Sequence, residues 1–312
     1  NTTSVTEFLL LGVTDIQELQ PFLFVVFLTI YFISVTGNGA VLMIVISDPR
    51  LHSLMYFFLG NLSYLDICYS TVTLPKMLQN FLSAHKAISF LGCISQLHFF
   101  HFLGSTEAML LAVMAFDRFV AICKPLRYTV IMNPQLCTQM AITIWMIGFF
   151  HALLHSLMTS RLNFCGSNRI YHSSVIEAIA KAELNQWLLS TVTGTIAMGP
   201  FFLTLLSYFY IITHLFFKTH SFSMLRKALS TCASHFMVVI LLYAPVLFTY
   251  IHHASGTSMD QDRITAIMYT VVTPVLNPLI YTLRNKEVKG AFNRAMKRWL
   301  WPKEILKNSS EA

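Results

Sequence analysis

Seven long apolar stretches divide this chain, at roughly 22–46, 56–78, 94–116, 139–159, 188–214, 234–253 and 264–283, with short polar segments between them. Each has the roughly twenty residues that a helix needs to cross a hydrocarbon core of about 30 Å. Lipid offers no partner to an unpaired backbone group, so each stretch is expected to be helical along its lipid-facing length. One such run would also suit the buried helix of a large soluble core. Seven of them in 312 residues leave almost nothing to build a soluble shell. The pattern predicts an all-α protein, a seven-transmembrane helix bundle.

The bundle fills residues 22–283, after an extracellular segment at 1–21 and before a cytoplasmic one at 284–312. Short connections, such as the inner turn near Ser47–Met55 and the outer one near Gln79–Gly92, force neighbouring helices to pack antiparallel. The longest outer connection runs from Ser160 to Trp187. After the last stretch, Arg284-Asn285-Lys286-Glu287 breaks the apolar run. Val288, Phe292, Met296 and Trp299 then recur at three- and four-residue spacing, with Lys289, Arg294, Lys297 and Arg298 mostly elsewhere on the wheel. That spacing predicts a short amphipathic surface helix on the inner leaflet.

Composition sharpens the picture through the placement of charge. Only 11% of residues are charged, against about 25% in soluble domains. The net charge of +7 would suit nucleic acid if it were clustered on one surface. With the amino end outside, however, the inner segments hold fifteen of the twenty-one Lys and Arg, and the outer ones hold six. This is the positive-inside bias of a membrane protein, so the topology is N-out and C-in. The basic excess then faces anionic lipid and a protein docking from the cytoplasm. Residues 1–20 lack the features of a cleavable signal, which leaves the first span as the targeting signal. Asn1-Thr2-Thr3 is a glycosylation acceptor on the outer side. Asn61-Leu62-Ser63 lies within a helix and Asn308-Ser309-Ser310 on the inner side, so both should stay bare.

Polar groups inside the membrane need a reason. An acidic side chain at the centre of a span costs about 2.5–3.5 kcal/mol on insertion scales, and Asp66 and Glu107 sit well within the second and third stretches. Asn38 and Asn277 stand at matching depth. Together they form a polar core that can hold water or a small cation such as sodium. The same groups suit a two-state receptor, a proton-relaying transporter, or a purely structural hydrogen-bond cluster. Pro200, Pro245, Pro274 and Pro278 concentrate helix distortion in the last three spans.

His98 and His101 share a face in the outer half of the third stretch, and His155 lies near the outer end of the fourth. Without a cysteine or carboxylate beside them they do not complete a metal site, and they read better as core or pocket-lining residues. Gly104 and Ser105 leave room for a guest one turn deeper. Thr193, Ile196, Val246, Leu247 and Tyr250 face the same level by depth. The result is a largely apolar ligand pocket for a small hydrophobic organic molecule. No nucleophile elbow, phosphate loop, zinc-protease spacing or paired Cys-x-x-Cys is present, so the chain is not read as an enzyme.

Met114-Ala115-Phe116-Asp117-Arg118-Phe119-Val120-Ala121-Ile122-Cys123-Lys124-Pro125 resembles the hallmark of the olfactory receptors, a branch of the rhodopsin-like G-protein-coupled receptors. Gly37-Asn38, Leu51-His52-Ser53-Leu54-Met55-Tyr56, Leu62-Ser63-Tyr64-Leu65-Asp66, Thr106-Glu107, Ser207-Tyr208, Lys227-Ala228-Leu229-Ser230-Thr231-Cys232 and Pro274-Val275-Leu276-Asn277-Pro278 extend the likeness over nearly the whole chain. The resemblance implies a plasma-membrane receptor for small volatile ligands that activates a stimulatory olfactory heterotrimeric G protein. It gives Arg118 an ionic contact with Asp117 that opens on activation. Tyr208, Asn277, Pro278 and Tyr281 become its rearranging elements, and His101, Gly104, Ser105 and Tyr250 its ligand contacts.

Two departures stand out. Leu54 replaces the proline that the family carries before Met-Tyr-Phe-Phe. The family also has three cysteines between spans four and five, one of them bonded to the cysteine matching Cys93. Here Cys165 alone stands in that connection, which looks several residues short. A substitute Cys93–Cys165 bridge and a pair of free thiols both stay open. So does a receptor-like chain that does not signal.

Overall fold

Helix boundaries follow from local stop and start chemistry. The computed structural model describes residues 7–11, 17–51, 53–83, 86–161, 169–171, 183–218, 232–233, 235–245, 247, 267, 271–284 and 286–300. Helix α1 spans Gln20–Ser47 with Pro21 in its first turn, where a missing N–H costs nothing. Helix α2 spans Leu54–Leu82. Helix α3, Phe90–Cys123, begins at Ser89, whose hydroxyl accepts from the Gly92 N–H at 3.1 Å. It stops where Pro125 can no longer extend it. A turn at Pro125–Arg127 and a single helical turn at Tyr128–Ile131 lead to α4, Pro134–Ser160. Asn133 caps α4 by accepting from the Leu136 N–H at 2.8 Å. Then come α5 at Glu183–Lys218, α6 at His235–Pro245, α7 at Thr273–Arg284 and α8 at Lys286–Leu300.

Four described segments are long and apolar enough to cross a bilayer: Gln17–Ser47, Phe90–Cys123, Pro134–Ser160 and Thr191–Phe217. Helix α2 matches them in length but turns Ser63, Asp66, Ser70, Thr73 and Asn80 inward. Helices α1 to α5 each overrun their apolar stretch at both ends, because each added residue gains a backbone bond once the helix exists. Proline is not confined to the last three spans, as the sequence suggested: α2 runs through Pro75, just as α5 runs through Pro200 and α7 through Pro278.

The main core joins α1, α2, α3, α6 and α8 through Val41, Leu59, Leu62, Leu111, Leu242 and Val288. The outward faces are apolar as well. Phe32, Phe202, Phe216 and Phe217 are all exposed, as lipid-facing side chains must be. Helix α8 is amphipathic as expected. It buries Val288 and Ala291 and ties Arg294 to Asp48 at 2.6 Å. The Tyr56 hydroxyl donates to Glu287 at 2.6 Å and pins the start of the same helix.

A small outer sheet was not legible in the sequence. Strand β1, Glu7–Leu11, pairs antiparallel with β2, Ala87–Ser89, and parallel with β3, Arg169–Tyr171. The three strands are short and their partners lie far apart in the chain, so no local period announces them. Phe8 on β1 is buried against Phe90 and Cys93.

Candidate functional site

Helix α3 carries three polar levels, each meeting different neighbours. At the outer level, close packing of α3 against α4 depends on Gly148. A methyl group there would press on the Thr106 hydroxyl and lie 3.1 Å from the Phe102 carbonyl oxygen. With the helices this close and antiparallel, four histidines converge. His101 stacks on His155 with centroids 4.2 Å apart, and His151 lies 4.6 Å from His155 edge-on. Ser105 bonds the His101 carbonyl at 2.6 Å and pairs with His151 Nδ1 at 2.7 Å. Thr193, reaching across from α5, meets His155 Nε2 at 2.8 Å and His151 Nε2 at 3.4 Å. His98 pairs with Ser156 at 3.2 Å.

The expected pocket residues sort unevenly. His101, Ser105 and Thr193 come together in this cluster, and Gly104 is half-buried beside them on α3. Ile196 instead lines a groove between α4 and α5. Leu247 packs against the main core. Val246 and Tyr250 lie outside the described residues. Sequence reasoning missed His151, although its four-residue spacing from His155 and its depth opposite Ser105 were available as signals. Among the described residues no group of three or more His, Cys, Asp or Glu is arranged to hold a metal ion. The rings of His98, His151 and His155 bond to hydroxyls instead.

The middle level is the polar core. Asn277 Nδ2 on α7 donates to both carboxylate oxygens of Asp66 at 3.1 Å. Asn38 on α1 donates to the Pro274 carbonyl at 2.8 Å, and Ser34 pairs with Ser70 at 2.7 Å. Proline at 278 removes the N–H that the Pro274 carbonyl would otherwise accept from, which frees that oxygen for Asn38. Glu107 Oε1, Asn277 Oδ1 and Asn38 Oδ1 are buried acceptors without a protein partner. Such orphaned oxygens suit a water or a small cation between Asp66 and Glu107.

At the inner level Asp117 is completely buried and Arg118 largely so. Arg118 donates to Asp117 through Nη2 at 2.5 Å and Nε at 3.1 Å, and Tyr128 donates to the other carboxylate oxygen at 2.8 Å. Burial first, then the Asp117 carboxylate, push the Tyr128 phenol up, so it stays protonated as a donor. Tyr208 on α5 pairs with His235 on α6 at 2.5 Å, linking the two helices beside this lock. Asn277 and Pro278 are buried on α7, and Tyr281 falls within the same helix.

Cys93 is a buried free thiol in the first turn of α3. Its candidate partner Cys165 lies outside the described residues, as does Asn1. The Cys93–Cys165 bridge is therefore not formed by anything the structure describes. Asn61 sits within α2 and accepts from the Trp145 indole at 3.2 Å, as its exclusion from glycosylation requires.

Comparison with known proteins agrees with this arrangement. Residues 27–298 match the family model described as olfactory receptor. The human olfactory receptor 12D1 is 94% identical over all of this chain and 99% of its own length. Human olfactory receptor 12D2 is 87% identical over 96% of the chain and 99% of its own length, and human 12D3 is 64% identical over 96% and 97%. The chain belongs to the olfactory receptors, multi-pass membrane proteins of the rhodopsin-like class with the amino side outside and the carboxyl side in the cytoplasm.

Proposed function

We propose that this receptor binds a small volatile organic molecule in the outer half of the bundle and activates a stimulatory heterotrimeric G protein at its inner face. One observation carries the reading: a single helix, α3, brings His101 and Ser105 to the outer cluster and, further in, Asp117 and Arg118 to the lock that Tyr128 completes. The polar core around Glu107 lies between them. A ligand that binds one arrangement of these helices better than the other shifts the population by its differential affinity, and by nothing else. His101, Ser105 and Thr193 supply the polar anchors, and Gly104 leaves the room. Tyr208, Asn277, Pro278 and Tyr281 lie on the helices whose movement would open the inner face.

The test is a ligand-evoked cyclic-AMP response to a broad volatile panel in cells with measured surface receptor. Arg118→Ala should abolish the response while surface level is preserved. A response that survives this change would reject the coupling role.

A second reading, a chain that reaches the membrane without signalling, draws on the outer connection. Cys93 stands as a free thiol, and the alignment to the human 12D1 receptor spans 318 positions against 312 residues here. Two reactive outer cysteines on intact cells, together with silence across the panel, would favour it.

A further inference from the structure

We propose that the groove between α4 and α5 is a membrane-facing binding site for a small molecule with a hydrocarbon body and one hydrogen-bonding head, held by His151. The groove is open along one side, offers about 520 Å³, and is lined by Thr143, Met146, Phe150 and Leu154 from α4 and by Val192 and Ile196 from α5. That volume falls within the about 300–1,000 Å³ typical of small-molecule sites. Met146 and Phe150 stand half exposed at its rim, so it opens sideways into lipid rather than outward to water.

His151 is the polar aromatic residue on its wall, and it is 5% exposed. A polar ring at membrane depth is rarely left without a use. Its Nδ1 is engaged by Ser105 at 2.7 Å. Its Nε2 has only a long 3.4 Å contact with Thr193, whose hydroxyl sits closer to His155, at 2.8 Å. A contact at that distance is weak, so the ring nitrogen can take a better partner.

Depth decides which occupant fits. His151 lies nine residues inside the outer end of α4 at Ser160, which is about 14 Å along the axis. That places the imidazole near the middle of a hydrocarbon core about 30 Å thick, below the reach of a phospholipid headgroup. The polar end of the occupant must therefore travel with a small molecule dissolved in the bilayer. His151 shares its partners Ser105 and Thr193 with the outer cluster, but occupancy of the groove is read by labelling and needs no signal.

The experiment photolabels purified receptor in phosphatidylcholine nanodiscs with a diazirine-bearing octanol, or with the matching diazirine-bearing octane, and maps the adducts by peptide mass spectrometry. Octanol should mark the 146–154 and 192–196 segments roughly fivefold more than octane, the yield of one added hydrogen bond. Unlabelled octanol should compete. His151→Phe should lower octanol labelling to the octane level, and His151→Gln should restore it. Met146→Trp, at an exposed rim position outside the histidine cluster, should block both probes and keeps the test decisive if a His151 variant fails to fold. Equal labelling by both probes whatever stands at 151, adducts spread over the whole lipid face, or a receptor dimer that shields the groove would each overturn the proposal. Octanol labelling together with silence across the whole volatile panel in cells would break the signalling reading and leave this site standing.

Discussion

The two ends of α3 solve opposite problems. At the inner end one buried carboxylate, Asp117, accepts three hydrogen bonds, two from Arg118 and one from Tyr128. At the outer level a single hydroxyl, Thr193, is shared by two histidine rings, while the His101 ring stacks on His155. Bonds to a charged acceptor contribute about 1.5–3 kcal/mol each, and neutral ones about 0.5–1.5. The inner end therefore resists rearrangement until a larger free energy is applied. The outer end can exchange partners at little cost, which is what admitting a guest requires. The lesson is that stiffness and adaptability here are properties of bonding type, set at two levels that α3 joins about four turns apart.

That contrast can be broken at the packing both ends share. Gly148→Val should give the largest effect, because the new side chain meets the Thr106 hydroxyl and the Phe102 backbone. A loss of about 1–3 kcal/mol is expected from overpacking, read as a lowered Tm in detergent and a depleted surface population. Normal stability would show that the α3–α4 approach is not tight.

Next in size, Asp117→Asn keeps the shape of the lock and removes its charge. Basal cyclic-AMP should rise about tenfold, as the loss of roughly 1.4 kcal/mol from the closed state implies. Tyr128→Phe deletes one bond and leaves Arg118 in place, so basal signal should rise only a few-fold, about 1 kcal/mol. If Tyr128→Phe matched Asp117→Asn, the phenol and not the ion pair would be the main restraint.

The outer end should respond more gently. Thr193→Val removes the shared hydroxyl, and the half-maximal concentration of an alcohol agonist should move by about fivefold or less. A loss of several hundredfold would mean that the cluster is as rigid as the lock.

The smallest effect concerns α8. The Arg294 side chain, then the Arg50 backbone N–H, hold the half-buried Asp48 carboxyl below its ordinary value of 3.8. A depressed carboxyl makes its contribution above its unfolded pKa and loses it as pH falls through the folded one. The Asp48–Arg294 tether should thus be intact at neutral pH and released only below about pH 4. Amide exchange along residues 286–297 would report this. Loosening already at pH 6 would assign the effect to another group.

Much of the fold was readable because membrane insertion is written locally. Apolar length, basic inner turns and the three- and four-residue spacing after residue 287 are all near-neighbour properties, and they located α1 to α5 and α8 closely. Asp66, Glu107 and Asn277 were legible because charge and amide inside a span demand explanation, whereas Asp117 and Arg118 were legible through the motif they share with the family. What escaped was non-local. The pairing of β1 with β2 and β3, the convergence of His151 with Ser105 and Thr193, and the turning of Ile196 into the α4–α5 groove depend on which helix faces meet.

The chain by itself determined that it threads lipid, which side its basic segments occupy, and which polar groups must turn inward. Each of these follows from the cost of placing one residue in hydrocarbon. Only the tertiary structure decided which inward groups become partners. That choice depends on helix rotation and close approach, set by packing at positions as small as Gly148, and no single residue's transfer free energy records it.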